Sequence, residues 1–445
     1  MNYSDSERME AYLEALDLKK VDSYDIADII IFNTCSIKQK AEDKVFGHLK
    51  AVGKIKKNKK EKPLVIITGC MVRTSSSRYS EERDKLFSRV RELDIALRIE
   101  ELPKLANLIR EVQPENRIKG IEEEELQDYF QITPTHNSYK NKAQAFVAIS
   151  NGCDKFCTYC IVPYSRGREK SRKMEDIIQE AKTIVENGCK EIMLIGQTVN
   201  SYGLSNYDQE NKTFEELGKK ESFVYLLEEL DKLSQNGLVR VRFTSPHPKD
   251  MSDQLIDAMA TLKTQMPYLH LPVQAGNDEV LKRMNRPYTV EKVRNTIKKL
   301  RERIPNISIS TDIIVGFCGE TDQEYQDTCG FFEEMNFEHG YISQYSERKG
   351  TTAQKFIKDD ISKDTKSERW HNLNNILKKI SQKSLERFVG KTVYVLVEGK
   401  NKGQYYGKSE HFKTVEFKAG RDLIGQIVPV KITNALEWSL KGELA

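Results

Sequence analysis

From Ala143 to about Ser346 the chain repeats one pattern six times: an apolar run, then a stretch with helical periodicity. The runs are AFVAIS (145–150), EIMLIG (191–196), VRVRFT (239–244), YLHLPV (268–273), ISTDIIVGF (309–317) and GYISQY (340–345). Between them Ile177, Ile178, Ala181, Ile184 and Val185 form one 3.6-period stripe, which stops at Asn187-Gly188. Val290, Val293, Ile297 and Leu300 form another. Buried strands alternating with helices call for a parallel sheet, and six units fit a partial, TIM-like (β/α)6 barrel. Chemistry in such folds sits at the carboxyl ends of the strands.

The flanks differ from this core. Residues 1–120 predict a second, smaller α/β domain with a parallel sheet. Ser4 and Glu7 have capping-box spacing, and Met9, Tyr12, Leu13 and Leu16 make one apolar helix face. Strand runs follow at Ala27–Thr34, Leu64–Thr68 and Asp94–Ile99, and Leu102–Val112 has helical periodicity. Residues 121–142, acidic and then polar around Pro134, are expected to be a linker. The barrel domain is expected over 143–382 and includes a Lys-rich helix that begins at Ser362. Residues 383–445 read as a small β-barrel of short strands (TVYVLVEG, TVEFKAG, GQIVPVKITNA) with glycine turns.

Composition excludes several classes. No apolar stretch is long enough for a transmembrane helix, and the polar start does not resemble a signal peptide, so a soluble cytoplasmic chain is expected. The net charge, 71 − 67 = +4, is small, but ten Lys/Arg against six acids lie from Arg387 onward. Tyr394, Tyr405, Tyr406, Phe412, Phe417 and Trp438 are interleaved there, the composition of an OB-like nucleic-acid binder, although several of these rings must fill the barrel core. The lysines of 50–62 are a second candidate phosphate contact or a solvated face. Eight cysteines in a chain of 445 residues without an export signal point to metal or catalysis rather than disulfides.

Cys153, Cys157 and Cys160 form a CxxxCxxC loop directly after the first barrel strand. A structural zinc site takes four ligands, commonly in CxxC pairs, and no fourth Cys or His lies within the next 28 residues. A 4Fe–4S cluster held by three cysteines leaves one iron open for chemistry. Cys35 and Cys70 each follow a strand of the N-terminal sheet, where a ligand crevice is expected, although a single Cys at a strand end is more often a small buried hydrophobe. Gly196 and Gln197, Gln274 and Gly276, and Gly316 and Gly319 end the second, fourth and fifth barrel strands. Such residues suit close approach of a ligand, and polar capping of loops is the competing account. His247 and His270 stay unassigned. Arg166, Arg168 and Arg172 suit either acidic side chains or phosphate. Cys189 and Cys329 read as ordinary buried cysteines.

CxxxCxxC with an aromatic residue before its last cysteine, after the first strand of a partial barrel, resembles the radical S-adenosylmethionine enzymes. NTCSIKQKAEDKVFG, TGCMV, GCDKFCTYCIVPYSRGREKSR, IGQTVNSYG, HLPVQAGND, LKRMNRPYT and STDIIVGFCGET together resemble the methylthiotransferases of that superfamily, over nearly the whole chain. The resemblance implies that Cys153, Cys157 and Cys160 hold the radical-generating 4Fe–4S cluster. It also implies that Tyr159 packs near the adenine of S-adenosylmethionine and that Gly196, Gln197, Gln274 and Gly316 contact that cofactor. It implies a second 4Fe–4S cluster on Cys35, Cys70 and a third cysteine. It further implies a C-terminal TRAM domain on RNA. In the family that third cysteine lies in GCQMNxxDSE, and this sequence begins MNYSDSE, matching only the tail at Met1, Asn2, Asp5, Ser6 and Glu7. A misplaced start or a shortened chain is expected, with one strand and one thiolate fewer. Cys318 and Pro246 replace the family's usual Pro and Ser.

The implied reaction is methylthiolation at C2 of isopentenyladenosine beside the tRNA anticodon, at position 37. An adenine C2–H is neither acidic nor open to hydride chemistry, so a radical is required. S-adenosylmethionine serves as both radical source and methyl donor. Implied partners are the tRNA anticodon loop and an electron donor such as flavodoxin or ferredoxin, with the chain a monomer. Alternatives are a threonylcarbamoyladenosine or ribosomal-protein methylthiotransferase and, outside catalysis, an RNA-binding protein with a structural metal site.

Overall fold

Strands β1 (Ile29–Thr34) and β2 (Leu64–Gly69) pair in parallel, Thr34 opposite Gly69. The side chains of β2 divide alternately between two cores. Leu64 and Ile66 pack with Met9, Tyr12 and Ile109, whereas Val65 and Ile67 pack with Ile30, Val52 and Leu86. A strand apolar at every position must be covered on both faces, as its unbroken run predicts. The short strands β3 (Ser76–Ser77) and β4 (Ile95–Leu97) complete a sheet of order β1-β2-β4-β3, with β4 parallel to β2 and β3 antiparallel at the far edge. β1, at the other edge, is only half-buried. This computed structural model describes residues 1–35, 39–59, 61–113, 128–136, 143–205, 208 and 221–445. They form two bodies, one of Met1–Ser138, Asn151–Asp154 and Cys160–Glu169, the other of Tyr139–Ser150, Lys155–Tyr159 and Lys170–Ala445.

Two local expectations for the first body are corrected. The first helix spans Asn2–Ala15, so Ser4 and Glu7 lie inside it, buried, and form no capping box. The helix starts three residues earlier than the box requires, with Met1 rather than Ser4 at its N-cap. The expected linker also contributes to a core. Asp128 and Gln131 form a capping box around a 3₁₀ turn, and Tyr129 is fully buried with its hydroxyl donating to Asp5 Oδ1 at 2.6 Å. Arg8 donates to the Ile132 carbonyl. An apolar residue with a buried acceptor in reach outweighs the polar composition around it. Most of 121–142 lies outside the described residues.

The second body holds the six predicted barrel strands. They are β5 (Gln144–Ala148), continued by the short β6 (Ser150–Asn151) and β7 (Lys170–Ser171), then β8 (Glu191–Ile195), β9 (Arg240–Phe243), β10 (Tyr268–His270), β11 (Ser308–Val315) and β12 (His339–Gln344). β5-β8-β9 and β10-β11-β12 are parallel sheets, and a parallel bridge between Val241 and Gln265 links them. One continuous core joins the strands to the helices Met174–Glu186, Ser222–Asp231, Asp253–Thr261, Val290–Arg303 and Asp322–Met335. β10 is shorter than its run because Pro272 has no N–H for a ladder.

Helix Lys363–Glu386, capped by Ser362, leads to a closed barrel of β13 (Thr392–Asn401), β14 (Gln404–Lys408), β15 (Thr414–Lys418), β16 (Ile427–Ala435) and β17 (Leu440–Leu444). Tyr405 and Phe417 fill its core, while Tyr394 and Trp438 are exposed. Two buried arginines fix this barrel to the larger one. Arg240 donates to the carbonyls of Tyr394 and Lys408, Arg242 to those of Ser409 and Glu410, and Glu191 accepts from both. Phe412, in the same turn, stacks on Tyr268 with centroids 4.6 Å apart. Among the described residues no helix is long and apolar enough to cross a membrane.

Candidate active site

The CxxxCxxC loop is pinned by hydrogen bonds within each body. Gly152, at φ 81°, turns the chain where a side chain would meet the Arg168 carbonyl, and Cys153 N–H donates to the Gly167 carbonyl at 3.2 Å. In the other body Thr158 donates to the carbonyls of Met284 and Arg283, and its own carbonyl accepts from Ala353. Cys157 is buried, and its Sγ accepts from Arg286 Nη1 at 3.4 Å. Arg286 also donates to Tyr288 Oη and the Pro272 carbonyl. Burial works against its charge, but Tyr159, Tyr288 and Cys157 outweigh it and push the guanidinium well above its ordinary pKa. The cation therefore persists at every pH the protein meets. Tyr159 packs edge-on to Phe317. None of the eight cysteines is in a disulfide, and among the described residues no three His, Cys, Asp or Glu side chains are gathered as a metal-holding set.

The strand ends carry polar atoms with no partner inside the protein. Ser150 Oγ, Gln197 Oε1 and His247 Nε2 are buried without a hydrogen bond among the described residues. They follow β5, β8 and β9. Left this way each costs about 1–3 kcal/mol, so each calls for a partner, which a bound ligand or an ordered water supplies. Gly196 keeps its position clear of Ser150 Oγ, which a Cβ there would strike. His247 is clasped by Asn200, whose amide donates to the His247 carbonyl and whose Oδ1 accepts from His247 N–H. Its Nδ1 accepts from Lys249 N–H, which leaves Nε2 as a donor. Burial, then the charges of Arg286, Lys155 and Lys249, lower its pKa to about 2, so the ring is neutral. S-adenosylmethionine offers carboxylate, ammonium, hydroxyl and adenine groups, and an acceptor, a donor and a hydroxyl suit that set. Gln274 has φ 72° and donates its N–H to the Asp312 carbonyl. Gly316 gives its N–H to Glu320; its φ of 68° and the nearness of Lys366, which a side chain there would strike, both favour glycine.

The N-terminal cysteines stand side by side, as the parallel register dictates. Cys70 N–H donates to the Thr34 carbonyl at 3.0 Å, and Gly69, at φ 86°, lets the strands close where a Cβ would meet that same carbonyl. Cys70 is buried and Cys35 half-buried. Arg166 is buried beside them, bonded to Asp5 at 2.5 Å and to Asn151 Oδ1 at 3.0 Å. Burial opposes its charge, but Asp5 and Cys70 prevail and raise its pKa well above normal. Of the open alternatives for the three arginines, all take acidic side chains: Arg166 pairs with Asp5, Arg168 with Asp154 and Arg172 with Glu180. Each cysteine site thus has a buried arginine at one sulfur. Arg166 was singled out in the sequence for its place after the cysteine loop, whereas Arg286 was not, although it lies within LKRMNRPYT.

Comparison with known proteins agrees with this geometry. Family models match the Radical SAM superfamily over residues 147–332, the uncharacterized family UPF0004 over 1–89 and the TRAM domain over 386–445. Among similar structures is the radical S-adenosylmethionine methyltransferase TsrM from Kitasatospora setae, with tryptophan substrate and a SAM analog bound. Its TM-score is 0.52 at 13% identity, covering 84% of this chain and 80% of that one, which speaks for the fold. The tRNA-2-methylthio-N(6)-dimethylallyladenosine synthase of Acetivibrio thermocellus is 37% identical over all of this chain and 88% of its own length. The enzyme of that name from Bacillus subtilis is 38% identical over all of this chain and 84% of its own length. At that identity over the full chain, this protein belongs to the tRNA-2-methylthio-N(6)-dimethylallyladenosine synthase family, within the radical S-adenosylmethionine superfamily.

Proposed function

We propose that this chain carries out the reaction for which its relatives are named, methylthiolation at C2 of N6-isopentenyladenosine in tRNA, at position 37. Cys153, Cys157 and Cys160 hold a 4Fe–4S cluster. When bound, the cluster and S-adenosylmethionine supply the electron, the 5′-deoxyadenosyl radical and the methyl group. Arg286 gives the cluster a charge-assisted donor at Cys157 Sγ, and a fixed cation beside an anionic cluster favours its reduced form. Ser150, Gln197 and His247 orient the cofactor, with Gln274 and Tyr159 alongside. Cys35 and Cys70, with Arg166, are two of the thiolates that hold the second cluster. The basic C-terminal barrel binds the tRNA through Tyr394 and Trp438, its exposed rings. The protein works as a cytoplasmic monomer, reduced by flavodoxin or ferredoxin.

The observation that carries this reading is the cysteine loop with Arg286 on Cys157, beside strand ends whose buried polar atoms lack partners. Anaerobic reconstitution tests it. The protein is expected to form 5′-deoxyadenosine from S-adenosylmethionine and the methylthiolated nucleoside in unmodified, isopentenylated tRNA, and Cys157→Ala is expected to form neither. Absence of both products from the intact protein would overturn the assignment.

A further inference from the structure

The β10-β11-β12 sheet has one face in the apolar core, through Leu269, Ile309, Ile313, Val315 and Ile342. Its other face is polar. Register places His270, Ser310 and His339 in one row and Asp312 opposite Tyr341 in the next. The lower row is a hydrogen-bond chain. Tyr268 Oη meets Ser310 Oγ at 2.8 Å, Ser310 Oγ meets His270 Nδ1 at 2.9 Å, and His270 Nε2 lies 3.5 Å from Asp312 Oδ1. Phe412 stacks beneath Tyr268, so the chain rests on a fixed floor. The upper row is open. The Asp312 side chain is 36% exposed and Tyr341 is 56% exposed, with His339 edge-on between Tyr341 and Trp438. The Asp312 carbonyl accepts from Gln274, the residue expected at the cofactor.

We propose that Asp312 and Tyr341 form the seat of the target base: Tyr341 stacks on the flipped-out purine, and the open oxygen of Asp312 accepts the hydrogen of its exocyclic amine. Enzymes that act on a base must unstack it and read its edge against an aromatic side chain. An adenine alkylated once on N6 keeps a single N–H donor, and a carboxylate is the strongest acceptor for it. His270 Nε2 approaches Oδ1 of Asp312 to 3.5 Å, on the side away from the oxygen left for the base. The proposal rests on the tRNA methylthiotransferase function above.

The test uses the reconstituted full chain and synthetic anticodon stem–loop RNAs whose target adenine carries one or two N6-alkyl groups. The wild-type protein is expected to bind the singly alkylated RNA about tenfold or more tightly. Asp312→Ala, with its fold unchanged by circular dichroism, is expected to bind both RNAs equally. Tyr341→Ala is expected to weaken binding of the singly alkylated RNA about tenfold and Tyr341→Phe to restore it. Discrimination that survives Asp312→Ala, or wild-type affinity in Tyr341→Ala, overturns the proposal while the function stands. If the wild-type protein forms no methylthiolated nucleoside, the function fails and the proposal falls with it.

Discussion

Single arginines lie against cysteine sulfurs in this chain, Arg286 at Cys157 and Arg166 at Cys70. Arg286 lies 129 residues after Cys157 and, among the described residues, donates to three acceptors, the sulfur, a phenol oxygen and a backbone carbonyl. Replacing it by Gln keeps polarity but removes the charge and the fork that reaches all three. Arg286→Gln is expected to retain severalfold less iron than the wild type after anaerobic desalting, as read by iron analysis, with the fold intact by circular dichroism. Iron retention equal to the wild type would show that the guanidinium is structural. Tyr159 entered the candidate set only through the family resemblance, whereas the cysteines and the strand-end Gln197 were legible by their fixed offset from a strand. His247 was not. A histidine after a strand has no signature until Asn200 fixes its backbone and burial leaves Nε2 without a partner.

At the scale of elements, strands were legible and their attachments were not. Six apolar runs became six parallel strands because each repeats buried positions over its own length. The capping-box spacing of Ser4 and Glu7 failed because a helix start depends on what precedes it. Arg240 and Arg242 interrupt the run VRVRFT with two charges, and both are buried against the C-terminal barrel. Glu191 holds them, and although burial opposes its charge, Arg242 and Arg240 outweigh it and lower its pKa. Glu191→Gln would leave two buried cations facing a neutral amide. It is expected to cost about 3–5 kcal/mol, the usual price of breaking a buried pair. Urea unfolding measures this, and a change under about 1 kcal/mol would show that the four carbonyls hold the arginines by themselves.

For the whole molecule, buried neutral histidines set the response to acid. Burial, then nearby cations, lower His339 and His411 to about 4 and His247 to about 2. In the unfolded chain these rings take up protons near pH 6.5, whereas in the folded chain they do not until much lower pH. Stability from these groups is therefore complete above pH 6.5, falls as pH drops below it, and levels off for His339 and His411 near pH 4. Each contributes at most about 1.4 kcal/mol per pH unit. Thermal unfolding at pH 7.5 and pH 5 is expected to show a clear loss at the lower pH, partly recovered by His411→Gln. Equal midpoints would mean that water reaches these rings.

The sequence by itself determined which segments become strands and helices, and which cysteines stand together at strand ends. These are local matters, since periodicity fixes the face on which a side chain lies and motif spacing fixes its distance from a strand. Only the tertiary structure decided what each group meets: Arg286 at Cys157, Arg166 beside Cys70, His270 at Asp312, and the 409–412 turn on Arg242. A buried charge or an open acceptor is defined by its neighbours. Those neighbours come from distant chain segments that the hydrophobic pattern brings together without specifying which polar atoms will pair.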